Sequence, residues 1–250
     1  MSGVLPIGIG DARKLMKIIT EDVKEYVTLM QLHTNQVDED LIKTVGRKFV
    51  GEIYQKPPVR SSVKRRLRIK KVYDINFIEF KGNLVLFKIS CEAGTYIRKI
   101  CHDMGIILGY GAHMRELRRI RSGIFTEEMS VTLHQLSEAL YMWKKCNDDS
   151  WLRKYLLPME YGICNLPKVV TSNYAVDPLC HGYPLMIPGI LAYERFRKGD
   201  LVAIITQRGE LVAIGKAIVN SNDIETAKKG QALVPDKVFM EPGLYPQYKK

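Results

Sequence analysis

The chain has 250 residues, with 38 Lys plus Arg against 27 Asp plus Glu and a formal net charge of +11. That length accommodates one large domain or two modest ones, and the charge points to a polyanionic partner, nucleic acid before membrane. Five scattered cysteines (Cys91, Cys101, Cys146, Cys164, Cys180) without C-x-x-C spacing argue against a zinc ribbon or a disulfide framework and favour a reducing compartment, the cytoplasm. No apolar run is long enough to span a bilayer, and Met1 to Pro6 lacks the features of a signal peptide.

Gly3 to Ile9 is apolar, as in a chain that begins inside a domain, and Asp11 then reads as the N-cap of a helix carrying Ala12, Leu15, Met16 and Ile19 on one face. From Lys24 to His33, Tyr26, Thr28, Met30 and Leu32 alternate with Val27, Leu29 and Gln31, which predicts a strand. Asp38 opens an amphipathic helix through Leu41, Ile42, Val45 and Phe49. Residues 55 to 71 carry Pro57-Pro58, which forbids helix, and then a dense run of cations. A solvated basic loop is the plain reading; a phosphate-tracking arm is the functional one. Val72 to Phe80 and Leu84 to Glu92 form a hairpin around Lys81-Gly82-Asn83, with Phe87, Ile89 and Cys91 on one face of the second strand.

Next comes a joint of small residues, Ala93-Gly94-Thr95, followed by Tyr96-Ile97-Arg98. Ile100, Cys101, Met104, Ile107 and Leu108 recur at helical spacing, and Gly109 is the stop. If the chain is extended through Arg98, Ile97 points inward and Tyr96 and Arg98 share the opposite face; if the helix has begun, that pairing is lost. The extended reading is the expectation, placing Tyr96 and Arg98 in one cleft with Tyr26. His113 reads as a packed structural residue. Thr132 caps a helix with Leu133, Leu136, Leu140 and Trp143 inward. From about Lys168, short apolar strands alternate with Gly and Pro, and Gln207-Arg208-Gly209 forms a hairpin turn, the pattern of a small β-barrel.

Gly94-Thr95-Tyr96-Ile97-Arg98, followed by Gly111-Ala112-His113-Met114-Arg115-Glu116-Leu117-Arg118-Arg119, resembles the TruB class of pseudouridine synthases, and within it the archaeal and eukaryotic H/ACA-guided, dyskerin-like branch. The resemblance spans essentially the whole chain. Ala175-Val176-Asp177, Cys180-His181-Gly182, Pro188-Gly189, Lys198-Gly199-Asp200, Gly209-Glu210, Gly215-Lys216-Ala217 and the close from Met240 to Pro246 resemble a PUA domain, an RNA-binding barrel. The implied fold is α+β: a mixed-sheet synthase domain over residues 1–166, incomplete at its N-terminus, and a PUA barrel over 167–250.

The resemblance implies a uridine-to-pseudouridine isomerase acting on ribosomal RNA, with transfer RNA a further substrate class, as the catalytic subunit of an H/ACA ribonucleoprotein. It implies no metal and no cofactor. The implied partners are guide RNA, a zinc-ribbon protein, a glycine-rich-family protein and a kink-turn binder. By motif match Tyr26 stacks on the target base, Tyr96 lines the pocket, Arg98 pairs with the catalytic aspartate and Leu117 closes the pocket. RNA contacts are expected from Arg60, Lys64, Arg65, Arg66, Arg68, Lys70 and Lys71, and from His181 and Gly182 in the barrel. The family's aspartate sits in Gly-Thr-Leu-Asp-Pro. Aligning on Ser2-Gly3-Val4-Leu5-Pro6 puts it before Met1, so no catalytic carboxylate is expected within this sequence. A non-catalytic PUA-type RNA-binding protein and a stand-alone transfer-RNA enzyme are the alternatives.

Overall fold

The structure is a computed structural model, described for residues 1–57 and 64–247. Two compact units are present: Met1–Pro6 with Lys17–Thr132, and Ile7–Met16 with Leu133–Lys250.

In chain order the first unit contains β1 (Ser2–Gly3), α1 (Met16–Glu21), β2 (Lys24–Leu32), α2 (Glu39–Arg47), β3 (Gly51–Gln55), β4 (Arg68–Lys81), β5 (Leu84–Cys91), α3 (Ile97–Leu108), β6 (Ala112–Ser122) and β7 (Phe125–Thr126). Its sheet runs β1-β6-β2-β5-β4-β3, with β7 on β6. The β1–β6 pair is parallel and the other pairs are antiparallel, so the sheet is mixed. Alternation dictates the core. Val85, Phe87, Ile89 and Cys91 of β5 are fully buried, as are Met30 and Leu32 of β2, while their sequence neighbours are half-exposed. Ile97, Ile100, Cys101 and Met104 of α3 and Ile42 and Val45 of α2 join the same cluster. Each such side chain contributes about 1.5–3 kcal/mol through burial. Asp38 caps α2, accepting from the Leu41 N–H at 2.9 Å. Gly105 lets α3 lie close on β6: a Cβ there would stand 2.0 Å from the Ala112 nitrogen.

Besides the start of α3, three elements differ from the sequence reading. The turn at 10–15 is a 3-10 helix whose N-cap is Ile9, and Asp11 lies in its first turn, paired with Lys14 at 2.9 Å. A short edge strand, β3, precedes the basic segment, and Arg68 to Lys71 form the start of β4 rather than the end of a loop, because Ile53, Tyr54 and Gln55 pair with Lys70, Ile69 and Arg68. Arg60 lies outside the described residues.

The second unit contains α4 (Leu133–Cys146), α5 (Ser150–Tyr155), β8 (Lys168–Thr171), α6 (Asn173–Cys180), β9 (Leu185–Met186), β10 (Ile190–Tyr193), β11 (Leu201–Ile205), β12 (Leu211–Ala217), α7 (Ser221–Thr226) and β13 (Gln231–Val238). Its strands run β10-β8-β11-β12-β13-β9, a nearly closed six-stranded barrel around Val169, Leu179, Leu185, Val202, Ile204 and Leu233. Residues 7–16 belong here: Lys14 Nζ donates to the Val238 carbonyl at 2.9 Å and Lys237 Nζ to the Lys14 carbonyl at 2.7 Å. The third difference is α4. Leu133 is 80% and Trp143 46% exposed, Leu140 is also exposed, and Ala139 is the helix's one buried residue. Its chief neighbour is the six-residue α5, too short to cover an apolar face.

Candidate active site

The site is built at one end of the first unit's sheet. Lys24 pairs with Cys91 of β5 and Ser122 of β6, and Tyr26 with Ile89 and Arg119. Leu117 stands opposite Thr28, two residues along. Cross-strand partners share a face, so Tyr26, Arg119 and Leu117 face the same way as Ile89 and Phe87. Tyr26 and Leu117 are half-buried against the core. Helix α3 packs on this face, against β6 and β2. It starts from the end where β5 finishes, so its first turn lies at the Tyr26 end of the sheet.

Tyr96 is the N-cap of α3, with φ −94° and ψ 97°. Its carbonyl accepts from the N–H groups of Lys99 at 3.0 Å and Ile100 at 3.2 Å, so the helix begins at Ile97. The chain is therefore extended only to Tyr96, and the expected face shared by Tyr96 and Arg98 is not formed. Ile97 is buried and Arg98, in the first turn, is exposed. Among the described residues no acidic side chain is paired with Arg98.

Three buried or half-buried polar residues complete this end of the sheet. Lys24 is 5% exposed and its Nζ donates to the Ile19 carbonyl at 2.9 Å. Burial pushes its ammonium down from the ordinary lysine value, with Asp22 partly opposing. Arg119 Nε donates to the Val4 carbonyl at 2.6 Å. Burial pushes the Tyr26 phenol up, with Arg119 acting against it. Gln55 is 2% exposed. Its Oε1 accepts from the Tyr96 N–H at 2.9 Å and its Nε2 donates to the Tyr96 carbonyl at 3.1 Å.

The nearby acids are committed. Glu92 accepts from Lys70 Nζ at 2.5 Å and from the Lys71 N–H at 3.2 Å. Glu25 projects from the other face of β2 to Lys88 at 2.7 Å and Arg121 at 3.4 Å. Asp22 Oδ1 accepts from the Val23 N–H at 2.7 Å. This end of the sheet is thus cationic and suited to an anionic group. Among the described residues no group of three or more His, Cys, Asp or Glu could hold a metal ion.

Lys64, Arg65 and Arg66 are exposed. Arg65 Nε donates to the Pro57 carbonyl at 3.3 Å, Arg68 lies across from Gln55, Lys70 is engaged by Glu92, and Lys71 Nζ sits 5.6 Å from the Tyr73 ring centroid. In the barrel, His181 is the C-cap of α6, its Nδ1 2.9 Å from the Asp177 carbonyl, and Gly182 follows at φ +84°. Both are exposed. An open concavity of about 710 Å³ lies elsewhere on that unit, lined by Arg195, Arg197, Asn220 and Asp223 among others. His113 is exposed rather than packed, its Nδ1 2.8 Å from His33 Nε2.

Sequence reasoning missed Lys24, Gln55 and any role for Arg119. The signal for Lys24 was present, since it continues the inward parity of Tyr26, Thr28 and Met30. Gln55 carried none without β3.

Residues 1–97 match the TruB family pseudouridylate synthase N-terminal domain, 98–163 the tRNA pseudouridylate synthase B C-terminal domain, and 167–239 the PUA domain. The probable tRNA pseudouridine synthase B of Sulfurisphaera tokodaii is 56% identical over 248 residues, 99% of this chain and 73% of that protein. The chain belongs to the TruB family of pseudouridine synthases. The Saccharolobus solfataricus relative, of the same name, is 52% identical over 98% of this chain and 97% of its own length. Among solved structures, a Cbf5-Nop10-Gar1 complex matches with a TM-score of 0.91 and 47% identity, covering 98% of this chain and 74% of the matched one. An H/ACA ribonucleoprotein bound to a substrate RNA containing 2′-deoxyuridine matches with a TM-score of 0.88 and 43% identity, covering 95% and 72%. Among the described residues no helix is long and apolar enough to cross a membrane.

Proposed function

We propose that this chain is the catalytic subunit of a guide-directed pseudouridine synthase acting on ribosomal RNA. The observation that carries the reading is the TM-score of 0.91 over 98% of the chain to Cbf5 in its complex with Nop10 and Gar1. On that analogy the partners are a zinc-ribbon protein, a glycine-rich-family protein and, through the guide RNA, a kink-turn binder. The reaction breaks the bond between uracil N1 and ribose C1′ and forms one between C5 and C1′; the C5 proton is lost and N1 gains one. Bond making and breaking balance within the nucleotide, so no co-reactant is needed. The uridine must leave its stack to be reached. Tyr26 offers it a face, Tyr96 and Leu117 flank it, and the cations Lys24, Arg119 and Arg98 favour a carboxylate against the ribose, as nucleophile or base. None of the 27 acidic residues lies in the family's Gly-Thr-Leu-Asp-Pro motif, and the acids at this end of the sheet are paired. None of these acids is assigned the role of that carboxylate. The names of the archaeal relatives favour transfer RNA as a second substrate.

The test compares residues 1–250 with a form carrying the aspartate motif upstream, both given partners and either guide with ribosomal RNA target or transfer RNA alone. RNA binding by both and pseudouridine from the longer form only is the expected result. Pseudouridine made by residues 1–250 would show that one of their own acids serves as the carboxylate. A longer form inactive with every RNA would leave an RNA-binding protein.

A further inference from the structure

The Tyr96 backbone is not held by its own helix alone. As N-cap its own side chain makes no capping bond, and its N–H precedes the first helical hydrogen bond. Gln55 supplies a partner for that N–H and a further donor at the carbonyl, which already accepts from the Lys99 and Ile100 N–H groups: one carboxamide accepts from the Tyr96 N–H and donates to the Tyr96 carbonyl, as a neighbouring strand would. The carboxamide is buried, and both of its heavy atoms are spent on this one residue. Glutamine offers a donor and an acceptor in that fixed orientation at every pH, which a carboxyl of the same length does only when protonated.

The residues before Tyr96 are tied to the same hairpin. Thr95 Oγ1 donates to the Glu92 carbonyl at 2.6 Å, the Glu92 N–H donates to the Lys71 carbonyl at 2.8 Å, and the Glu92 carboxylate takes Lys70. Both tethers therefore run to the edge strands β3 and β4. Gln55 is the last residue of β3, directly across from Arg68. The Tyr96 ring sits at the end of a lever hinged at its Cα, and the hinge is fixed by Gln55.

We infer that Gln55 is a positioning residue: its carboxamide sets the backbone of Tyr96, and through it the ring that meets the flipped base, making pocket geometry depend on the edge hairpin. The inference rests on the proposed function for the identity of the base, while the Gln55–Tyr96 clamp stands on geometry alone.

The test uses the 250-residue chain, its Q55L and Q55E variants, and single-stranded RNA with 2-aminopurine replacing one uridine, whose fluorescence is quenched when it stacks on an aromatic ring. In Q55L, hydrogen exchange of the Tyr96 and Lys99 to Cys101 amides should rise at least tenfold, while that of Phe87 and Ile89 stays unchanged. RNA affinity should stay within twofold and quenching should fall. Q55E, measured at a pH high enough to ionise the carboxyl, keeps the acceptor for the Tyr96 N–H and loses the donor to its carbonyl, so it should protect the Tyr96 amide yet lose quenching; at lower pH the protonated carboxyl should restore it. In a form with the aspartate motif, Q55L should lower kcat at least tenfold with KM unchanged. Unchanged exchange or unchanged quenching in Q55L would overturn the inference. So would equal acceleration at Phe87 and Ile89, the mark of general loosening. Absent quenching with the parent chain would count against the proposed function, and Tyr96 exchange in Q55L would still decide whether Gln55 is the clamp.

Discussion

Lys70 Nζ and Glu92 Oε1 meet at 2.5 Å and so fasten β4 to the joint that leads into Tyr96. The hydrogen bond from Lys70 is the chief reason the Glu92 carboxyl is held below the ordinary glutamate range, and the Lys71 N–H adds to it. A depressed folded value means that the stabilisation is complete above the unfolded value of about 4.3 and is lost as acid protonates Glu92. The K70M variant should therefore be less stable than the parent at neutral pH, with the difference closing below about pH 4. Chemical denaturation at a series of pH values reads it. A constant difference across that range would show that the pair has no such role.

Gly105 sets how near α3 comes to β6. A Cβ would sit 2.0 Å from the Ala112 nitrogen and 2.5 Å from the Gly111 carbonyl carbon, backbone atoms that cannot swing aside. G105A should cost about 3 kcal/mol, the upper end for overpacking. G82A, whose site is open but whose φ of +55° disfavours a side chain, should cost about 1 kcal/mol. Urea denaturation of the two variants distinguishes a packing limit from a backbone one.

The cysteines should separate by reactivity. Burial raises the Cys91 thiol to about 11 and the Cys101 thiol to about 12, so neither forms thiolate at neutral pH. Cys146 and Cys164 are exposed. Labelling at pH 8 should modify those two first, Cys180 more slowly because burial raises it too, and Cys91 and Cys101 only on unfolding. Early labelling at Cys91 would show that the joint opens in the native state.

Neutralising Lys64, Arg65 and Arg66 together should weaken every RNA alike. It should also flatten the log affinity against log salt plot by about 0.7 for each lost single-strand phosphate contact. Changing His181 and Gly182 should instead lower affinity selectively for RNAs carrying the guide-RNA end, with the salt slope kept. Equal slopes and equal selectivity in the two variants would abolish the division of labour.

Much of the first unit was legible because its signals are local. Parity grouped Phe87, Ile89 and Cys91 on one face and Tyr26 with Thr28, Met30 and Leu32 on another, Asp38 announced α2, and Gly82 marked the hairpin. The start of α3 was not legible. Ile97 points inward whether the chain is extended or helical, and the choice between the two is tied to Tyr96, whose backbone is held by Gln55, a residue 41 positions earlier. The brief edge strand β3 is visible only through its pairing with β4, across the basic segment. The inward reading of α4 failed because periodicity names an apolar face without supplying a surface to cover it.

The placement of residues 7–16 in the second unit bears on the order in which the protein can fold as it is made. Every residue of the first unit has been synthesised once Thr132 is joined, so that unit can close early. The second cannot, because Lys14 finds its Val238 partner 224 positions later. That short segment, with Leu15 destined for full burial, must wait beside a nascent chain while those 224 residues are made. A chain halted before β13 is then a closed first unit attached to an unfinished second, with residues 7–16 among the last to find their place.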